Sequence, residues 1–150
     1  LILLKRRRIS MKTALVYFSR TGHSKRIAKA IAEALQITAL DAKSEPLLDE
    51  VDLLFIVGGI YGGASSPELK AYAEGLSKSY VKKAALITSC MNRIHRQSMI
   101  REILTRKGID VAPDEFVCRG SFLFFGLGHP SKEEIDAAIS FARKAIAENT

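Results

Sequence analysis

The sequence predicts an α/β fold, a parallel sheet of five strands covered on both faces by helices, and two observations carry that prediction. Strand-like and helix-like segments alternate along the whole chain. The segment Val51 to Val57 is almost continuously apolar, as a strand buried on both faces must be. At 150 residues the chain is long enough for one domain with a full layered core.

The elements follow in order. Ala14-Leu15-Val16-Tyr17-Phe18 is apolar, aromatic and branched, and reads as a buried first strand. A helix is expected from Lys25 to Leu35, with Ile27, Ala28, Ile31, Ala32 and Leu35 on one face. Ile37 to Leu40 makes a short second strand, and residues 41–50 a polar connection containing Pro46. After the third strand, Val51–Val57, Ser66-Pro67-Glu68 opens a helix with an N-cap serine and proline at its first position. Leu69, Tyr72, Ala73 and Leu76 supply its inner face.

Ala84 to Thr88 reads as the fourth strand. A helix then runs from about Gln97 to Lys107, with Ile100, Ile103 and Leu104 inward and Gly108 as its stop. The fifth strand region contains Phe116, Val117 and part of Phe122 to Phe125. Ser131-Lys132-Glu133-Glu134 is a capping box for the last helix, whose buried stripe is Ile135, Ala138, Ile139, Ala142 and Ile146.

Between the first strand and first helix lies Ser19-Arg20-Thr21-Gly22-His23-Ser24. A strand, a short turn rich in hydroxyls and glycine, then a helix start is an anion cradle. Amides of the first helical turn face the loop, and the helix dipole adds partial positive charge. Gly22 permits a tight turn, Ser19, Thr21 and Ser24 offer hydroxyl donors, and the loop carries no acid. The plainer alternative is a strand–helix turn in which Ser24 caps the helix. Other phosphate sites are excluded: the chain has neither Gly-x-x-x-x-Gly-Lys-Ser/Thr nor the three spaced glycines of the dinucleotide fingerprint. The acid cluster that a receiver domain needs after its first strand is missing too.

That hexapeptide resembles the phosphate loop of flavodoxins, Ser/Thr-x-Thr-Gly-x-Ser/Thr, and the resemblance extends from Met11 along most of the chain. Lys12 to Leu35 is similar to the family's opening strand, loop and helix. Asp52 to Gly59, followed by Ile60-Tyr61-Gly62-Gly63, is similar to its third strand and flavin-contacting loop. Phe116-Val117-Cys118-Arg119-Gly120, then Gly128-His129-Pro130, resembles its closing segment. The resemblance implies a doubly wound sheet of order 2-1-3-4-5 in a three-layer, flavodoxin-like sandwich, with FMN as cofactor and electron transfer as activity. In such sheets ligands sit beyond the carboxyl ends of the strands where the winding reverses. The cofactor contacts so implied are Ser19, Arg20, Thr21, Gly22, His23 and Ser24, then Ile60, Tyr61, Gly62 and Gly63, then Ser89, Cys90, Met91 and Asn92.

Tyr61 is the expected stacking group for the flavin ring, the alternative being a surface tyrosine in a glycine-rich turn. A peptide beside Gly62 or Gly63 can turn cheaply to follow a proton gained by the reduced ring. The third loop, Ser89 to His95, lacks the aromatic residue with which many flavodoxins cover the ring's second face. Met91 or Ile94 covers it instead, or the ring lies more exposed. Arg93 and His95 either stabilise reduced anionic flavin or face solvent. Cys90 reads as a small packed thiol, His129 as a turn residue, and His23 as solvent-facing or, when protonated, a phosphate donor. Arg20 is available to neutralise phosphate charge.

Net charge is +7, and without Lys5, Arg6, Arg7 and Arg8 it is +3. Electron carriers of this family are commonly acidic, so a basic surface implies acidic redox partners, a reductase and an acceptor, steered electrostatically. No base-stacking module accompanies the charge, which argues against nucleic acid. No apolar run reaches membrane-spanning length. Two distant cysteines, Cys90 and Cys118, make no disulfide framework, and no Cys/His spacing suggests a metal, so a reducing cytoplasm is expected. Leu1 to Ser10 reads as an upstream-start or disordered extension and residues 11–150 as the domain, expected to act as a monomer or weak dimer. No general acid or nucleophile constellation is visible. Two alternatives stand beside the electron carrier. One is a small flavin-dependent oxidoreductase, of quinone or nitro-compound reductase or protoporphyrinogen oxidase type, although those oxidases carry a long basic insertion absent here. The other is a flavin-free interaction domain of the same fold.

Overall fold

Alternate side chains of each central strand enter opposite helical layers, so the strands read as unbroken apolar runs. The computed structural model describes residues 11–61, 63–90, 96–119 and 130–149, with Cys90 and Arg119 described by their backbone. Its strands are β1 (Thr13–Tyr17), β2 (Ala39–Asp41), β3 (Val51–Tyr61), β4 (Ala64–Ser65), β5 (Val81–Cys90) and β6 (Asp110–Arg119). Its helices are α1 (His23–Leu35), α2 (Pro67–Glu74), α3 (Ser98–Arg106) and α4 (Lys132–Glu148). Leu15, Tyr17, Leu53, Phe55, Val57, Ala85 and Ile87 pack with Ile27 and Ile31 of α1 and Ala138 and Ala142 of α4. Val16, Leu54, Ile56, Ala84 and Leu86 face the other way, onto Leu69 and Ala73 of α2 and Ile100 and Leu104 of α3. Each fully buried side chain of this size contributes about 1.5–3 kcal/mol, which is why the inner positions are large and aliphatic.

The strand path is β2-β1-β3-β5-β6 with every pairing parallel, and β4 is a short antiparallel addition to β3. Setting β4 aside, this is the expected 2-1-3-4-5 order. The winding reverses between β1 and β3, so the crevice opens beyond Tyr17 and Val57, which are paired neighbours.

Several boundaries differ from expectation. The second strand lies at 39–41 rather than 37–40, because Gln36 ends α1 in the left-handed region (φ 56°) and Ile37 N–H returns to Ala32 O. The first helix begins at His23, two residues early, with Gly22 and not Ser24 at its N-cap. The segment expected as a loop after Val57 is mostly strand: β3 continues to Tyr61 and pairs Ile60 with Ser65 and Tyr61 with Ala64. The fifth strand begins at Asp110, well before Phe116. Its polar start, with Pro113 and Asp114, sits on an edge strand that tolerates proline, beside a register shift between Ala84 and Leu86. Phe122–Phe125 and the Leu1–Ser10 extension lie outside the described residues.

Ser66 caps α2 by accepting the Leu69 N–H at 3.1 Å, and Ser131 caps α4 by accepting the Glu134 N–H at 3.2 Å, as the sequence predicts. No helix joins β2 to β3. A 3-10 turn at Ala42–Ser44 and an extended return take its place, leaving a groove of about 750 Å³ beside α2, floored by Leu48, Tyr72, Leu76 and Val81. Tyr72 donates its hydroxyl to Pro46 O at 2.7 Å, and burial pushes its pKa up to about 12.

Candidate functional site

The backbone leaving β1 stays in the ladder for one more residue, Phe18 N–H donating to Val57 O at 3.0 Å. It then turns sharply. Gly22 adopts φ 93°, ψ −10°, a left-handed geometry that costs glycine little, and an added Cβ there would meet nothing within 4 Å. Ser19 Oγ accepts the Gly22 N–H at 2.9 Å and closes the turn. A hydroxyl that accepts from the backbone keeps its own proton for another acceptor. Arg26 N–H donates to Gly22 O, starting α1, and among the described residues no side chain caps that helix. The head of α1, with its partial positive charge, is therefore left to an acceptor from outside the helix.

Thr21 Oγ1 and His23 Nδ1 lie 2.6 Å apart across the turn. Burial, and secondarily the charge of Arg26, hold the His23 imidazole below its ordinary range, favouring the neutral ring. Ser24 is buried within the first helical turn.

Tyr61 is drawn to this turn. Its hydroxyl oxygen accepts the Arg20 N–H at 3.1 Å, and the Arg20 guanidinium lies 4.7 Å from the ring centroid. The second Arg20 contact is Glu68, at 3.8 Å, so an acid of α2 stands near a loop that carries none of its own. The ring of Tyr61 folds over Gly59, where a Cβ would come within 2.7 Å of the phenol oxygen. On the opposite face of β3, a Cβ on Gly58 would come within 2.5 Å of Leu69 Cδ2. The Gly58-Gly59 pair thus admits α2 on one side and Tyr61 on the other.

Of the residues expected at the site, the structure brings Ser19 to Ser24 and Tyr61 together. Gly63, at φ 82°, sits in the β3–β4 turn, and Ile60 is paired in that hairpin. Ser89, buried, pairs with Gly59 at the end of β5, and the backbone of Cys90 ends that strand. Gly62, Met91 and Asn92 lie outside the described residues, as do Arg93, Ile94, His95 and His129. The sequence reading passed over two buried polar residues next to Thr88: Gln97, at the N-cap of α3, and Glu115, on β6. No local signal marks either residue, since Glu115 directly follows Pro113 and Asp114 in a stretch that reads as polar connection. Among the described residues no cluster of three His, Cys, Asp or Glu side chains could hold a metal ion, and no helix is long and apolar enough to cross a membrane.

The sequence pattern of the Flavodoxin domain matches residues 14–133. The chain belongs to the flavodoxin family. No curated protein matches this family member. Solved structures match its fold. Oxidised flavodoxin 2 from Bacillus cereus is 16% identical at a TM-score of 0.64, covering 93% of this chain and 99% of that one. A flavodoxin from the domain Archaea is 16% identical at 0.61, covering 89% and 98%. Rubredoxin oxygen:oxidoreductase from Desulfovibrio gigas is 13% identical at 0.64, covering 92% of this chain and 36% of that one. The flavodoxin fold therefore occurs both as a whole small protein and as part of a larger redox chain. As a member of this family the chain is of a flavin-binding type.

Proposed function

We propose that this chain binds FMN non-covalently and carries electrons between two redox proteins. One observation carries the reading: the uncapped head of α1, reached through a left-handed Gly22 and flanked by hydroxyls, opens beside Tyr61 at the reversal of the sheet. Its donor chemistry fits a ribityl phosphate at one end and a planar ring at the other. Bound there, FMN supplies one- and two-electron redox chemistry.

The protein's own part is to bind and orient. Ser19, Thr21 and Ser24, with the amides of the first turn of α1, hold the phosphate, and the Ser19–Gly22 hydrogen bond holds the loop ready. Arg20 adds charge nearby while its guanidinium keeps the Tyr61 ring in place. Tyr61 supplies an aromatic face, Ile60 and Gly63 shape the hairpin beside it, and Ser89 and Cys90 bound the far side at the end of β5. Gly62, Met91 and Asn92 complete the proposed contacts from sequence. The +7 charge favours acidic partners, whose approach slows as salt rises. The proposed setting is the cytoplasm, as a monomer or weak dimer.

The test is a titration of the full chain with FMN and with riboflavin, followed by flavin fluorescence. One-to-one binding with FMN favoured at least about tenfold over riboflavin, the worth of one charge-assisted hydrogen bond or more, supports the reading. Equal affinity for both, or none for either, removes it. Oxidation of NADPH by the FMN-loaded chain alone would favour a self-contained oxidoreductase over a carrier.

A further inference from the structure

One carboxylate oxygen gathers both ends of the connection between β5 and α3. Thr88 Oγ1, near the end of β5, donates to Glu115 Oε2 at 3.0 Å. The backbone N–H of Gln97, at the head of α3, donates to the same oxygen at 3.0 Å. The Glu115 side chain is wholly buried, and Arg101 Nη2 stands 3.7 Å from its second oxygen. Arg101 is itself fixed from β6, donating through Nη1 to Ala112 O at 2.9 Å. Gln97, also wholly buried, extends the clasp inward by donating through Nε2 to Ile87 O at 2.9 Å.

Stability is a weak explanation for this arrangement. Taking a carboxylate out of water is costly, and an apolar side chain of similar volume often serves a core better. The satisfaction is also incomplete, since Gln97 Oε1 and Glu115 Oε1 are buried without hydrogen-bond partners among the described residues. What the carboxylate supplies is geometry: it sets the distance and angle between the Thr88–Ser89 edge of β5 and the start of α3, with its charge at the favourable end of that helix. Ser89 pairs with Gly59, two residues before Tyr61, so this edge lies across the sheet from the Tyr61 hairpin.

We propose that Glu115 is a positioning residue for the flavin site, holding the β5 edge against the head of α3 so that the ring end of the site is formed before the cofactor arrives. The proposal rests on the FMN reading for its function. Glu115 does not touch the cofactor; it acts through Thr88 and Gln97. The phosphate end, built on β1 and α1, is independent of it.

That independence supplies the test. Full-length Glu115→Leu and Glu115→Gln are compared with wild type in thermal unfolding without flavin, in affinity for FMN and riboflavin, and in the visible circular dichroism of bound FMN. Glu115→Leu, which strands the Thr88 and Gln97 donors, is expected to unfold cooperatively at a lowered temperature, to weaken FMN and riboflavin by the same factor, about tenfold, and to alter the flavin dichroism. Glu115→Gln, which keeps an acceptor for both donors, restores most of the affinity. Ser19→Ala weakens FMN alone. Wild-type affinity and an unaltered flavin spectrum in Glu115→Leu would overturn the proposal, as would a loss confined to FMN. Should Glu115→Leu fail to fold, hydrogen exchange of the 96–101 amides in flavin-free Thr88→Val, which removes the β5 donor to Glu115, decides: faster exchange supports the clasp and unchanged exchange removes it. If the wild type binds neither flavin the FMN reading fails, yet the exchange measurement still reports on the clasp.

Discussion

Tyr61 and Gly59 are coupled two residues apart on one face of β3, and the coupling is steric. With the Gly59 Cβ position 2.7 Å from the phenol oxygen, Gly59→Ala expels the ring from the Arg20 amide while leaving the α2-facing side of β3 untouched. Flavin affinity should fall about tenfold or more, with far-ultraviolet circular dichroism unchanged and unfolding free energy within about 1 kcal/mol of wild type. His23 carries a second prediction. Its folded pKa lies below the ordinary 6.5, so between those values the unfolded chain binds the extra proton. Stability attributable to His23 is then complete above the ordinary value and is lost as pH drops through the lowered one. Urea unfolding between about pH 5 and pH 7 should show that decline in wild type and a shallower one in His23→Gln. At this scale the sequence was legible where chemistry is local. Ser19 to Ser24 are neighbours in the chain, and their hydroxyls, glycine and missing acid could be read directly. Glu115 and Gln97 could not, because the clasp depends on β5, β6 and α3 meeting, and nothing local marks it.

Elements were legible to the degree that they are buried. β1, β3 and β5 lie inside the sheet and announce themselves as apolar runs; α1 and α4 show stripes that do face the core, such as Ile27 and Ile31, or Ala138 and Ala142. β6 hid its first half because one edge is unpaired among the described residues, and Asp110, Pro113 and Asp114 are admissible there. The β3–β4 hairpin hid for another reason. Glycine-rich sequence reads as loop, and it was the space needed by Leu69 and Tyr61 that placed Gly58 and Gly59 within a strand. The starts of α2 and α4 were read well, since a side-chain cap is a contact over three residues, whereas α1, with no such cap, was read two residues late. Ser66→Ala removes the acceptor for Leu69 N–H in a buried setting, so it should destabilise the protein by about 1 kcal/mol in chemical denaturation with an unchanged denaturant slope.

The whole molecule joins these scales by topology. Two helical layers hold a parallel sheet rigidly, and the reversal between β1 and β3 leaves one end of that sheet uncovered, where Gly22, Tyr61 and Ser89 lie on three different strands' exits. The strand order itself came from resemblance, because periodicity identifies strands without ordering them. A second concavity, the groove beside α2, arises because a 3-10 turn and extended return replace a crossover helix. Of these two places among the described residues, the head of α1 offers a planar ligand a phosphate seat and the groove does not. The most direct measurement is amide chemical-shift mapping of the full chain during titration with FMN. The account predicts saturable shifts largest for Thr21 to Lys25, with Tyr61 and Ser89 following. Shifts confined to Leu48, Tyr72 and Leu76, or no shifts at all, would contradict it.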